Sequence, residues 1–294
     1  MSRYNGHIYD TIVCFGDSLT QHGWDVGKHG WTAQLSQAYL RRLDVVNRGF
    51  SGYNTRWTKF LLPQILPITA PARRNSNSNE PLDPPSNAPL EEEDGSEDGG
   101  GGKARLRLLT VFFGANDAHL EPFKCHVPLD EFRTNIEYFV LSVTSPTSMF
   151  YSKDTRVVLI TPPPLGEKLW ARELAAENTG GGEVVMDRLN ENTKQYAEAV
   201  KSVAEQLSVP CIDLWSAIED RVEDTRGKME FDGYEQFSWD GLHLNARGND
   251  LLFELLMKTI RTEVPELDPE KLPFVVPDHR SIAGNEDFNQ LLRL

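Results

Sequence analysis

Four places in the chain carry groups suited to nucleophilic chemistry on a carbonyl. Ser18 sits in Gly16-Asp17-Ser18-Leu19, directly after the apolar run Ile12-Val13-Cys14-Phe15 and before a helix-forming stretch. A serine on such a strand-to-helix turn projects from the carboxyl edge of a sheet, beside backbone N–H groups that can stabilise developing negative charge. The competing role for Ser18 is a helix N-cap. The five residues from Gly16 lack the second glycine of a G-x-S-x-G elbow, so an α/β-hydrolase turn is not indicated. A serine nucleophile needs a base, and the base needs an orienting group. Of the seven histidines, His243 in Asp240-Gly241-Leu242-His243 is the candidate base, because a turn at that spacing lets Asp240 hold the imidazole while its other nitrogen faces Ser18. By itself a D-x-x-H sequence is more often a surface turn with an incidental Asp and His, and it gains force only beside the glycine-flanked serine and a compatible fold. The backbone N–H groups of Ser18 and Gly49 and the side-chain amide of Asn116, within Gly114-Ala115-Asn116-Asp117, are the candidate oxyanion donors. Asn116 as a plain turn residue is the alternative. Asp17 reads as structural, tying the turn to nearby amides. Metal ligation is not indicated, since no H-x-x-x-H or paired C-x-x-C is present. His22, His29, His119 and His126 are expected at the rim or surface, with His22 in reach of a substrate.

These residues need a frame that brings them together. Apolar runs predict strands at 12–15, 44–49, 105–113, 156–161 and 209–214, and Ser18, Gly49 and Asn116 follow the first three. Helical periodicity predicts helices over 30–42, 55–66 with Pro63 kinking or ending it, 132–143, 183–207 with Val185 and Leu189 on the apolar face, and 247–261. Strand alternating with helix five times predicts an α/β fold with a doubly wound parallel sheet, helices covering both faces. Sites in such folds collect at the carboxyl ends of the strands.

With 294 residues, 39% of them hydrophobic, the chain can bury a proper core. A net charge of −14 without a basic stripe argues against nucleic acid or an anionic membrane as partner. The six acids between Glu91 and Asp98 belong to a Pro-, Gly-, Ser- and acid-rich stretch over 71–102. That stretch has too few apolar residues to offset ordering and is expected to be a disordered insertion. Domain organisation is then one domain over 1–264, interrupted by the insertion, with a loosely packed tail over 265–294. Cys14, Cys125 and Cys211 are odd in number and far apart, so a reducing, cytoplasmic location is expected. The amino-terminal residues lack the apolar stretch of a secretion signal, and no apolar run approaches a bilayer's span.

Gly16-Asp17-Ser18-Leu19, Gly49, Gly114-Ala115-Asn116-Asp117 and Asp240-Gly241-Leu242-His243, in that order, resemble the four sequence blocks of the GDSL, or SGNH, hydrolases. The stretch from Arg48 to Trp57, with Phe113 to Ala118, is most similar to the isoamyl acetate-hydrolysing esterase subgroup. The likeness covers Tyr9 to Glu263 and departs at 71–102, at Gly180 to Gly182 and in the tail. It implies a flavodoxin-like three-layer α/β/α sandwich with a five-stranded parallel sheet, and serine esterase chemistry without a cofactor. Ser18 would be nucleophile, His243 base, Asp240 its partner, and Ser18, Gly49 and Asn116 the oxyanion donors. The implied partner is a small ester, especially an acetate; self-association is left open. Longer-chain lipase, thioesterase or carbohydrate deacetylase activity on the same machinery, and a non-catalytic binding protein of the same fold, are the alternatives.

Overall fold

The computed structural model describes residues 9–67, 104–178, 184–276 and 278–283. The acidic insertion expected over 71–102 and the glycines at 180–182 lie outside them. Five strands, β1 (Thr11–Gly16), β2 (Asp44–Gly49), β3 (Leu106–Phe112), β4 (Arg156–Ile160) and β5 (Cys211–Ile212), form one all-parallel sheet in the order β2-β1-β3-β4-β5. The helices are α1 (Ser18–Gln21), α2 (Trp31–Ala38), α3 (Thr55–Thr58), α4 (Leu62–Ile65), α5 (Leu129–Thr144), α6 (Glu167–Glu177), α7 (Asn190–Leu207), α8 (Leu214–Val222), α9 (Ala246–Glu263) and α10 (His279–Ala283).

Alternate strand residues point to opposite faces, so each strand feeds both layers. Ile12, Cys14, Leu108, Phe112, Val158 and Ile160 pack beneath α2, α8 and α9. Val13, Phe15, Leu109, Val111, Val157 and Leu159 pack beneath α5 and α7. Burial on both faces is why β1, β3 and β4 read as nearly continuous apolar runs rather than as alternating ones. The result is the expected three-layer α/β/α sandwich. The strand order runs outward from β1 to β2 on one side and from β3 to β4 and β5 on the other, so the topological switch point lies between β1 and β3.

Several expected elements differ. The helix expected over 55–66 is two single turns, α3 and α4, with Pro63 in the first turn of α4, where a missing N–H costs no intrahelical bond. The helix expected from 183 begins at Asn190, after Leu189 in extended conformation. Val185 and Leu189 are therefore 65% and 38% exposed rather than on a buried face, and it is Arg188 that turns inward. Helices α6 and α8 were not anticipated; α8 starts where the Asp213 carboxylate accepts from Ser216 N at 3.0 Å, which also ends β5 early. The tail does pack over its described part: Leu267 is fully buried, its carbonyl accepts from the Tyr39 hydroxyl at 2.5 Å, and Val275 N donates to Arg41 O at 2.9 Å. No helix among the described residues is long and apolar enough to cross a membrane.

Candidate active site

The register of the sheet sets the site. Gly16 is the partner of both Gly49 on β2 and Phe112 on β3, so the loops leaving these three strands start side by side. Ser18 opens α1, 3% exposed, with Asp17 as N-cap, whose Oδ1 accepts from Leu19 N at 2.9 Å. As a first-turn residue, Ser18 has an N–H with no intrahelical acceptor. Burial pushes the Asp17 carboxyl up to about 7, with the nearby Asp117 adding to the effect.

Gly49 ends β2 against the start of the serine helix: a Cβ there would collide with the backbone of Gln21, so no side chain fits. Asn47 stitches the same corner. Its Nδ2 donates to Thr20 O at 2.6 Å and Thr32 Oγ1 at 3.1 Å, and its Oδ1 accepts from Gly49 N at 2.9 Å. The Gly49 N–H thus already has an acceptor in this geometry. Asn116 is 6% exposed and donates from Nδ2 to Tyr53 O at 2.9 Å, which leaves the second hydrogen of that amide. Beside it, the buried Asp117 accepts from Thr55 N at 2.9 Å and from Thr55 Oγ1, locking the β2 and β3 loops together. Burial pushes the Asp117 carboxyl up to about 6.

His243 and Asp240 share a tight loop closed by an antiparallel bridge between Ser238 and Leu244. Gly241 makes the turn, at φ 95°, and a Cβ there would lie 2.6 Å from Gly166 O and 2.7 Å from Trp170 N. Within the loop, Asp240 Oδ1 accepts from Leu242 N at 2.8 Å and His243 N at 2.7 Å, while Oδ2 accepts from His243 Nδ1 at 2.5 Å. Burial alone would raise the Asp240 carboxyl; the His243 hydrogen bond and charge and the two amides outweigh it and hold it below its usual range. His243 Nε2 then lies 2.8 Å from Ser18 Oγ. Carboxylate, imidazole and hydroxyl form one hydrogen-bonded line, a geometry in which the imidazole can take the serine proton and the carboxylate can stabilise the resulting charge.

Two aromatic neighbours hold the imidazole that sequence reasoning did not place there. Trp239 stacks on His243 with centroids 5.4 Å apart and planes at 15°, under Lys28 Nζ at 4.5 Å. His22 meets the same ring edge-on at 5.3 Å. Of the other histidines, His29 is exposed and bonds Asp250 at 3.2 Å, and His126 is partly buried against His119 O at 2.6 Å. His119, expected at the rim or surface, is buried at 7% exposure, because its ring is enclosed with Asp187 and Arg188. The only sequence signal for that cluster was an acid-base pair, Asp187-Arg188, between apolar residues just before a helix. Among the described residues no group of three or more His, Cys, Asp or Glu side chains is placed to hold a metal ion.

Comparison with known proteins places the chain in a family and a fold. A family model described as the GDSL-like lipase/acylhydrolase family matches residues 14–251. An isoamyl acetate-hydrolyzing esterase 1 homolog from Bos taurus is 34% identical over 278 residues, spanning 94% of this chain and 89% of its own. The isoamyl acetate-hydrolyzing esterase of Saccharomyces cerevisiae is 27% identical, spanning 94% of this chain and 97% of its own. In fold, the chain is similar to an acetylxylan esterase from Geobacillus stearothermophilus, with a TM-score of 0.53 at 18% identity over 85% of this chain and 94% of that one.

Proposed function

The chain belongs to the GDSL-like lipase/acylhydrolase family, and on that premise we propose that it hydrolyses short-chain carboxylic esters, acetates above all, through an acyl-enzyme on Ser18. The observation that carries the mechanism is the line from Asp240 through His243 to Ser18 Oγ, closed at 2.5 Å and 2.8 Å. His243 Nε2 takes the Ser18 proton as Oγ attacks the ester carbonyl carbon. The oxyanion so formed accepts from the Ser18 N–H, from the second hydrogen of Asn116 Nδ2 and from the Gly49 N–H, which it shares with Asn47. His243 returns the proton to the leaving alcohol, and water, deprotonated by the same imidazole, releases the acid and frees Ser18. No step calls for a metal or cofactor.

Preference for acetate is supported by the bovine and yeast relatives, whose names specify isoamyl acetate as the ester cleaved. The experiment is a comparison of kcat/KM for acetyl and octanoyl p-nitrophenyl esters. The acetyl ester is expected to be favoured by about tenfold or more, the scale on which a pocket discriminates chain length. Preference for octanoyl would overturn the short-acyl assignment in favour of a longer-chain lipase or thioesterase.

A further inference from the structure

Behind the Asn116 loop lies a buried cluster that plays no part in moving the Ser18 proton. Each carbonyl from Ala115 to His119 has a partner: Arg188 Nη1 on Ala115 O at 3.3 Å, His119 Nδ1 on Asn116 O at 2.5 Å, Val127 N on Asp117 O at 3.1 Å, Asn192 Nδ2 on Ala118 O at 2.6 Å, and His126 Nδ1 on His119 O at 2.6 Å. Two of these partners belong to one relay. Because Asn116 O can only accept, His119 Nδ1 carries the proton, and its Nε2 lies 2.5 Å from Arg188 Nη2 and 3.1 Å from Asp187 Oδ2. The Arg188 guanidinium therefore reaches the Asn116 backbone twice, through the imidazole and through the neighbouring Ala115 carbonyl.

Arg188 is itself fixed. Its side chain is 5% exposed, Asp187 Oδ2 lies 3.3 Å from Nη2, and its guanidinium sits 4.7 Å above the Trp170 ring, whose Nε1 donates to Asp187 Oδ1 at 2.7 Å. Trp170 also bears on the other half of the site, since its backbone N is one of the atoms that leave no room for a side chain at Gly241 in the Asp240–His243 loop. A plain structural ion pair needs only the contact of Arg188 with Asp187. The forked reach to Ala115 O and His119 goes beyond that need, and an arginine fork is suited to it where a lysine point charge is not.

We infer that Arg188 is a positioning residue for ester hydrolysis, which holds the Asn116 carboxamide in its donating orientation through His119 and the Ala115 and Asn116 carbonyls. The inference rests on Asn116 being an oxyanion donor. Displacing a reacting group by about 1 Å costs on the order of a hundredfold in rate.

The test is a double-mutant cycle on p-nitrophenyl acetate hydrolysis with Arg188→Gln, Asn116→Ala and the pair, kcat and KM being measured separately for folded protein. Arg188→Gln is expected to lower kcat by about tenfold or more with KM nearly unchanged, and to cost less than about twofold once Asn116 is alanine. Arg188→Lys, which keeps the charge and loses the fork, should remain close to the glutamine variant. His119→Gln removes the imidazole donor and leaves only the residue-119 backbone N–H on Asn116 O, at 3.2 Å, so it should repeat both the kcat loss and its disappearance in the Asn116→Ala background. If Arg188→Gln does not fold, His119→Gln alone decides the matter. Effects that multiply in the paired variants, or full rescue by lysine, would overturn the inference and leave a structural ion pair. An unchanged kcat in Asn116→Ala alone would instead remove the oxyanion assignment on which it rests.

Discussion

Replacing Asp240 by asparagine exchanges one carboxylate oxygen for an NH2 group and removes the charge while keeping the shape, and its consequence can be followed atom by atom. Asp240 Oδ1 accepts from two backbone amides, Leu242 N at 2.8 Å and His243 N at 2.7 Å, and these can only donate. An asparagine in this slot must keep its carbonyl oxygen on that side. Its NH2 group then faces His243 Nδ1, where Oδ2 stood. Two donors cannot face one another, so the imidazole moves its proton to Nε2, and Nε2 now donates to Ser18 Oγ across the 2.8 Å contact instead of accepting from it. The variant also loses the buried carboxylate that would stabilise the imidazolium. For a triad of this arrangement the combined effect is about ten-thousandfold in kcat, or roughly 5 kcal/mol in the barrier. Both backbone amides keep their acceptor, so stability should change by only about 1 kcal/mol. The assay is hydrolysis of p-nitrophenyl acetate by wild type and Asp240→Asn, with thermal unfolding of both. A folded variant retaining turnover within about tenfold of wild type would refute the role given to the carboxylate.

Two further expectations concern stability. Asp17 and Asp117 are pushed up to about 7 and about 6 from 3.8, by burial first, so the folded protein holds protons that the unfolded chain has already released; their stabilising contribution is full below pH 3.8 and is lost as pH rises through those folded values. Unfolding free energy in guanidinium chloride should fall by about 1 kcal/mol or more from pH 5 to pH 8, with a flatter slope in Asp17→Asn, and a rise over that interval in wild type contradicts this expectation. Leu267→Ala should cost about 2–4 kcal/mol while leaving kcat per folded molecule unchanged, because the side chain is fully buried; a loss under about 0.5 kcal/mol would show that the segment after Glu263 does not belong to the core.

The central strands β1, β3 and β4 were legible in the sequence because they are buried on both faces, which leaves no polar alternation to confuse the reading of Leu106 to Phe113 or Arg156 to Thr161. Helices α5 and α9 were legible for a related reason: Phe132, Ile136, Phe139 and Val143, and Leu252, Leu256 and Ile260, repeat at helical spacing and all lie in the core. Asp240 and His243 were legible through local chemistry, since three residues of separation suffice for a turn to return the carboxylate to the imidazole. Less legible was the burial of charged side chains. Arg188 is buried, with Asp187 half-buried beside it, because each neutralises the other, a fact that belongs to the pair and to the His119 and Trp170 rings around it. His119 was likewise expected at the rim or surface, and the proline- and charge-rich tail loosely packed, although His119 and Leu267 are both buried. The acceptor that Asn47 offers to the Gly49 N–H was also beyond reach, because it depends on where α1 abuts the end of β2.

The central claim is that Ser18 is the nucleophile, and covalent capture tests it most directly. Wild type and Ser18→Ala are treated with a fluorophosphonate, which phosphonylates an activated serine hydroxyl, then digested and analysed by mass spectrometry, with p-nitrophenyl acetate hydrolysis measured on the same samples. The account predicts one adduct, on Ser18, whose formation runs in step with loss of activity, and neither adduct nor hydrolysis in Ser18→Ala. Unchanged hydrolysis in Ser18→Ala, or an adduct at another serine that tracks inactivation, would contradict it.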